Sequence, residues 1–148
     1  MNYADRVTQA WEPGAYGVMA LPSGRLIRGR GLRIDNPCKP DPEFAVYLAG
    51  SDLHGATWEY RRADWPDSGP PASPATLREN LIEALARSSA ERVEVGCTGG
   101  RGRTGTALAC LAVLDGAPAA DAVAYVRQHY SPDAVETLEQ ASFVADFR

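Results

Sequence analysis

The stretch VEVGCTGGRGRTGTALACL, Val93 to Leu111, decides the fold. A short run of β-type residues ends at Cys97, and glycines follow at 99, 100 and 102. From Thr104 the chain turns apolar at helical spacing, with Gly116 as the expected C-terminal stop. Strand, glycine-rich loop and helix therefore succeed one another within about two dozen residues.

Working outward, the upstream half reads as short strands broken by glycine and proline: YGVMAL, RLIRGRGLRI, EFAVYLAG and TWEYRRA. Asn36–Glu43 is proline-broken and is expected to be an exposed loop. At Ser73 the pattern changes. Ser73 is placed as an N-cap with Pro74 at the first helical position, and Leu77, Leu81 and Leu85 share one face. Val123, Val126 and Tyr130 mark a further helix, and a second Ser-Pro pair, Ser131-Pro132, is expected to start a last one running to the C-terminus. Strands first and helices later predict an α/β single domain over residues 1–148, with a central, mostly parallel twisted sheet flanked by helices.

With 148 residues and 45% hydrophobic content, the chain suits one globular core. Fifteen Lys+Arg against 19 Asp+Glu give a net charge of -4, which argues against nucleic acid or an anionic membrane as partner. No signal-peptide pattern or membrane-length apolar run is present, so a soluble, cytoplasmic protein is expected. Cys38, Cys97 and Cys110 are odd in number and lack paired spacing, so neither a disulfide framework nor a zinc site is indicated. His54 and His129 stand alone, without ligand spacing, and no metal or other cofactor is called for.

The chemistry gathers at residues 97–104. Glycines let the backbone of Thr98, Gly99, Gly100, Arg101 and Gly102 curl so that successive N–H groups converge. Such a nest at a helix N-terminus binds a phosphate dianion, and the same positive field favours a thiolate at Cys97. Arg103 can fork two hydrogen bonds onto phosphate oxygens, and Thr104 can donate to a departing sulfur. A nucleotide-binding GxxxxGK[ST] loop fits less well, because Cys97 stands at its first glycine and Arg103 at its lysine. A glycine-rich turn used only for packing is the bland alternative. Expelling an alkoxide or phenoxide also needs an acid, and RRADWPDSGPP offers Asp64 and Asp67.

The C-x5-R-T pattern in CTGGRGRTG resembles the signature of the cysteine-based protein tyrosine and dual-specificity phosphatases. The run Trp65-Pro66-Asp67 through Pro71 resembles their WPD loop. The resemblance implies a tyrosine-phosphatase-like fold, Cys97 as nucleophile and Arg103 as the phosphate clamp. It implies Asp67 as the acid, with Asp64 as fallback, and a phosphorylated protein or peptide as the partner. ETLEQ resembles the element that places the hydrolytic water, with Gln140 matching its second glutamine and Glu136 departing from the first; solvated helix surface is the plainer expectation for both.

Two departures stand out. Gly96 occupies the place of a histidine that assists the nucleophile, and Glu94 interrupts a strand normally apolar. Glu94 is expected either to pair with an arginine or to approach solvent. Arg28, Arg30, Arg61 and Arg62 are expected on solvated strand faces, or as a rim for an anionic substrate. Cys110 is expected in the core, and Cys38 is open to pairing with an oxidised Cys97. Arg101 is a second cation in the loop, which keeps a phosphoinositide or inositol phosphate substrate open. A phosphoprotein-binding protein without catalysis is the other alternative.

Overall fold

The protein is described by a computed structural model covering residues 10–33, 39–48, 56–66 and 69–148. Five strands form one sheet: β1 (Val18–Ala20), β2 (Leu26–Gly31), β3 (Phe44–Tyr47), β4 (Glu59–Arg62) and β5 (Val93–Cys97). Among the described residues four helices follow the strands or alternate with them: α1 (Pro74–Arg87), α2 (Gly102–Leu114), α3 (Ala119–His129) and α4 (Leu138–Asp146). The strand order is β1-β2-β5-β3-β4. Only β1 runs antiparallel, against β2; the β2–β5, β5–β3 and β3–β4 pairs are parallel. The mostly parallel α/β sheet expected from the sequence is therefore the architecture observed.

Side chains alternate across a strand, so β5 sends Val93, Val95 and Cys97 one way and Glu94 and Gly96 the other. The first set joins Ile27, Phe44 and Val46 in the apolar core beneath the helices. Helix α2 lies at the centre of that layer, buried without interruption from Gly102 to Ala112. Burial on all sides explains why its sequence is almost wholly apolar after Thr106. Helix α1 starts as expected: Ser73 Oγ accepts from Thr76 N at 3.2 Å, with Pro74 next in line. Leu77 and Leu81 are fully buried. Gly116, at φ 114°, ends α2 in a conformation that favours glycine.

The last helix differs from expectation. Ser131-Pro132 starts no helix, and α4 begins only at Leu138. Between them Arg127 donates to the carbonyls of Ala134 (2.9 Å) and Val135 (2.8 Å), and Val135 takes φ 64°. A β-branched residue resists that conformation, so the turn is held by its contacts. One is Gly105 of α2, where a Cβ would stand 2.6 Å from Ala134 Cβ. Thr137 then caps α4 by accepting from Gln140 N at 3.1 Å, while Gln140 Oε1 accepts from Thr137 N at 3.2 Å. This Thr-x-x-Gln capping box is the signal that marks the true start.

The second face of the sheet is unexpectedly charged. Glu94 is fully buried, and its Oε1 accepts from Arg28 Nε (2.8 Å) and Nη2 (2.6 Å). Its Oε2 accepts from the Tyr47 hydroxyl at 2.7 Å and lies 3.4 Å from Arg30 Nε. Arg28, expected on a solvated face, is only 3% exposed. Trp11 covers it, with the guanidinium 4.2 Å from the ring centroid and Trp11 Nε1 donating to Val93 O. Burial and the adjacent Glu94 charge push Tyr47 ionisation far up, so its hydroxyl remains a donor. Arg61 is also not solvated alone: it pairs with Glu59 and Glu83 and lies over the Phe44 ring, and Arg62 pairs with Asp64.

Candidate active site

Strand β5 ends at Cys97 and α2 starts at Gly102, leaving four residues to turn the chain. The turn is held from both sides. Leu32 N donates to Cys97 O (2.8 Å) and Arg33 N to Thr98 O (3.1 Å), which extends the β2–β5 ladder past the strand ends. Gly100, at φ 77°, lies so close to Gly31 that a Cβ would meet Gly31 N at 2.5 Å. Only glycine fits there. On the far side the Tyr130 hydroxyl donates to Gly100 O, and its ring fills the space where a Cβ on Gly29 would be. Burial first, and then the Cys97 sulfur, push Tyr130 ionisation up, which keeps that hydroxyl a donor.

Inside this turn Gly100 N donates to Cys97 Sγ at 3.2 Å. The sulfur thus accepts a backbone N–H from within the loop that it enters. The N-terminus of α2 is not spent on a side chain: Arg101 at the N-cap makes no side-chain capping bond, and the first turn holds no acid. Its positive end therefore attracts an anion, and the exposed Glu136 carboxylate already lies near it, where a Cβ on Gly102 would stand 2.3 Å from Glu136 Oε1. The sulfur is nearly buried, at 2% residue exposure, yet Cys97 and the loop through Arg103 line a cleft of about 630 Å³.

Arg103 is 7% exposed, and its Nη1 donates to Trp65 O at 2.8 Å. That bond ties the loop's arginine to the Trp-Pro-Asp segment. Trp65 is itself fixed in the core, with Nε1 donating to Gly69 O at 2.6 Å and its ring edge-on to Phe143. Gly69 N donates back to Pro66 O at 3.2 Å. Asp67 lies outside the described residues, as do Cys38 and His54. Asp64 is exposed, paired with Arg62, and absent from the cleft lining.

Thr104 is fully buried, and among the described residues its hydroxyl finds no hydrogen-bond partner. It is not bonded to the sulfur here. Gln140 is 2% exposed rather than solvated, because its side chain caps α4, accepting from Glu136 N (2.8 Å) and Thr137 N. Its Nε2 faces the start of α2, where a Cβ on Gly102 would stand 3.2 Å away. Glu136 is exposed and lines the cleft. A side chain at Gly96 would crowd its neighbours: a Cβ would lie 3.2 Å from Tyr47 Cδ1 and 3.2 Å from Arg30 O. Tyr47 thus fills the space beside the nucleophile strand. Sequence reading missed this tyrosine, and Tyr130 too, since both act through partners distant in the chain. Cys110 is fully buried in α2, and burial pushes its thiol well up. Among the described residues no set of three or more His, Cys, Asp or Glu is grouped to hold a metal, and no helix is long and apolar enough to cross a membrane.

Residues 71–144, half of the chain, match the family described as "PTP-SAK: Swiss Army Knife protein, DSP-PTPase phosphatase domain". The uncharacterized protein MJ0215 of Methanocaldococcus jannaschii is 47% identical over 60 residues, which are 40% of this chain and 36% of that protein. The match therefore spans little more than a third of that relative. Among solved structures, Tk-PTP in its active form superposes with a TM-score of 0.63 at 27% identity, covering 72% of this chain and 78% of that one. Kinase associated phosphatase, with serine replacing its catalytic cysteine, gives 0.60 at 18% identity, over 72% and 68% of the two chains. The second likeness is one of fold.

Proposed function

The chain belongs to the dual-specificity and tyrosine phosphatase superfamily, and on that premise we propose that it hydrolyses phosphomonoesters through Cys97, with phosphorylated protein side chains, phosphotyrosine foremost, as substrates. The observation that carries this reading is the bond from Gly100 N to Cys97 Sγ at the mouth of an uncapped helix. It puts a sulfur and unspent backbone donors at one point of one cleft.

In the first step the Cys97 thiolate attacks phosphorus and the ester P–O bond breaks. The bonding pair leaves with the substrate oxygen, which takes a proton from Asp67, and a phosphocysteine remains. In the second step Asp67, now a carboxylate, takes a proton from water. That water attacks phosphorus, the S–P bond breaks, and inorganic phosphate and the thiolate are released. Thr104, buried beside the loop and without a hydrogen-bond partner among the described residues, has its hydroxyl available to the departing sulfur. Residues 98–102 supply N–H donors, and Arg103 clamps the equatorial oxygens as charge redistributes on them. The bond from Arg103 to Trp65 O links phosphate binding to the position of the segment that carries the acid. In this scheme Gln140 serves the second step, its amide nitrogen near Gly102 directing the attacking water.

Turnover of an aryl phosphate tests the reading. Wild-type protein is expected to release phosphate, Cys97→Ser to release none, and Asp67→Asn to lose about 10²–10⁴-fold in kcat. Turnover retained in Cys97→Ser overturns the cysteine mechanism. Tight phosphopeptide binding without turnover in wild type establishes the binding-only alternative instead.

A further inference from the structure

We propose that the β2 side of the cleft is a subsite for a second phosphoryl group, formed by Arg30 and Arg33, so that preferred substrates carry two phosphates close together. The inference rests on the phosphatase reading and adds the substrate class. It begins with a charge imbalance. Among the described residues the cleft is lined by Arg30, Arg33, Arg101 and Arg103 against one carboxylate, Glu136, in a chain whose net charge is -4. Arg103 belongs to the scissile phosphate. Among the described residues the guanidinium groups of Arg33 and Arg101 have no hydrogen bond or ion pair.

Arg30 is the informative one. Its Nε is buried and makes no hydrogen bond, although Glu94 Oε2 is 3.4 Å away. Glu94 is already engaged: Arg28 takes both bonds at Oε1, and Tyr47 takes the better-formed bond at Oε2. One carboxylate thus faces two guanidinium groups, which leaves one positive charge uncompensated at the wall of the cleft. The Arg30 side chain is 18% exposed, so this deficit is only partly screened by solvent, and an incoming anion offsets it. Glu94 is therefore a positioning residue, which orients Arg30 without neutralising it.

Placement fixes where that anion sits. Arg30 pairs in register with Gly96, and Arg33 hydrogen-bonds to Thr98, so both arise directly beside the loop that holds the first phosphate. A Cβ on Gly100 would stand 3.0 Å from the Arg30 carbonyl carbon. Neighbouring strands lie about 4.8 Å apart, so the backbone that carries Arg30 and Arg33 runs about one strand spacing from the phosphate loop. Arginine forks match phosphate oxygens in pairs, and a cleft of one sign focuses such ligands. A bisphosphorylated peptide and a small polyol bisphosphate share this chemistry.

The test uses equilibrium binding to Cys97→Ser protein, with two matched pairs of ligands. One pair is a phosphotyrosine peptide with and without a second phosphorylated residue next to it. The other is an inositol monophosphate and a bisphosphate with neighbouring phosphates. In at least one pair the second phosphate is expected to tighten binding about 10–100-fold, and the pair showing it identifies the source. Raised salt should shrink the ratio. Arg30→Gln and Arg33→Gln should each bring the ratio down toward one, whereas Arg25→Gln, at the opposite end of β2, should not. Ratios near one in both pairs, or ratios unmoved by Arg30→Gln and Arg33→Gln, overturn the proposal. Failure of the phosphatase reading shows separately, as absence of aryl phosphate turnover in wild type.

Discussion

Gly96→His restores the side chain that related enzymes are expected to carry before the nucleophile, and the surroundings of Gly96 set its cost. A Cβ there stands 3.2 Å from both Tyr47 Cδ1 and Cε1 and 3.2 Å from Arg30 O. Tyr47 has no freedom to yield: its hydroxyl donates to Glu94 at 2.7 Å and accepts from Trp58 Nε1 at 2.9 Å. Alanine at 96 adds overpacking of about 1–2 kcal/mol, partly offset by the ~0.5–1 kcal/mol a strand gains on losing glycine. An imidazole must displace the ring. That adds the loss of a hydrogen bond to a charged group, for a total of roughly 3–6 kcal/mol. At about 2–4 °C per kcal/mol for a chain of this size, Tm falls by roughly 6–24 °C. Urea and thermal unfolding at neutral pH measure it for wild type, Gly96→Ala and Gly96→His. In a Tyr47→Ala background the same histidine should cost several kcal/mol less, a coupling that a double-mutant cycle isolates. A Gly96→His protein melting within about 2 °C of wild type refutes the claim that Tyr47 occupies this space.

Three further outcomes are expected. Glu94→Leu leaves the buried Arg28 without its counter-charge and should cost about 3–5 kcal/mol in urea unfolding, much of it regained in Arg28→Met/Glu94→Leu; equal stability of the single variant and wild type counts against the network. Tyr130→Phe removes the donor that holds Gly100 O and should lower kcat/KM for an aryl phosphate about 3–30-fold while Tm drops by less than ~5 °C; a fall in Tm alone assigns Tyr130 to packing. Glu59 is held down at about 2 from an ordinary 4.5, first by Arg87 and then by Arg61. A depressed carboxylate stabilises above its unfolded value, so this contribution is complete above about pH 4.5 and is lost as pH falls toward 2. Glu59→Gln should flatten the urea midpoint across that window and leave it unchanged in slope above it.

What could be read from the sequence was local. Val93–Cys97 followed by glycines and an apolar run specifies strand, turn and helix within one continuous segment, and Ser73-Pro74 specifies a helix start by its own chemistry. Cys97 and Arg103 were legible for the same reason, since only five residues of chain separate them. Ser131-Pro132 carries the same start signal and fails, because Arg127 and Gly105 pull residues 134–135 into a turn that local sequence does not encode. Gln140 reads as helix surface until its carboxamide is seen closing a capping box. Arg28 and Arg30 alternate along β2 as solvated side chains would; nothing near them in sequence indicates that Glu94, 66 residues on from Arg28, stands opposite.

The two unusual positions on β5 have one physical origin. Glu94 and Gly96 point to the same face, two residues apart, and Tyr47 touches both: its hydroxyl bonds Glu94 while its ring covers Gly96. A carboxylate at 94 requires donors within its buried surroundings, and a tyrosine reaching it from the β3 position opposite residue 96 must lie across that residue. Any side chain at 96 then crowds the Tyr47 ring, and one as large as histidine competes with the bond from Tyr47 to Glu94. Glu94 also holds Arg28 and Arg30 on this face, and Arg30 lines the cleft. At this place beside the nucleophile strand the chain carries no side chain at 96 and a buried charge network behind it. Restoring activity-related residues one at a time should therefore fail: Gly96→His is tolerated only when Tyr47 and Glu94 change with it, and that triple change should loosen the grip of Arg30 on a second phosphate.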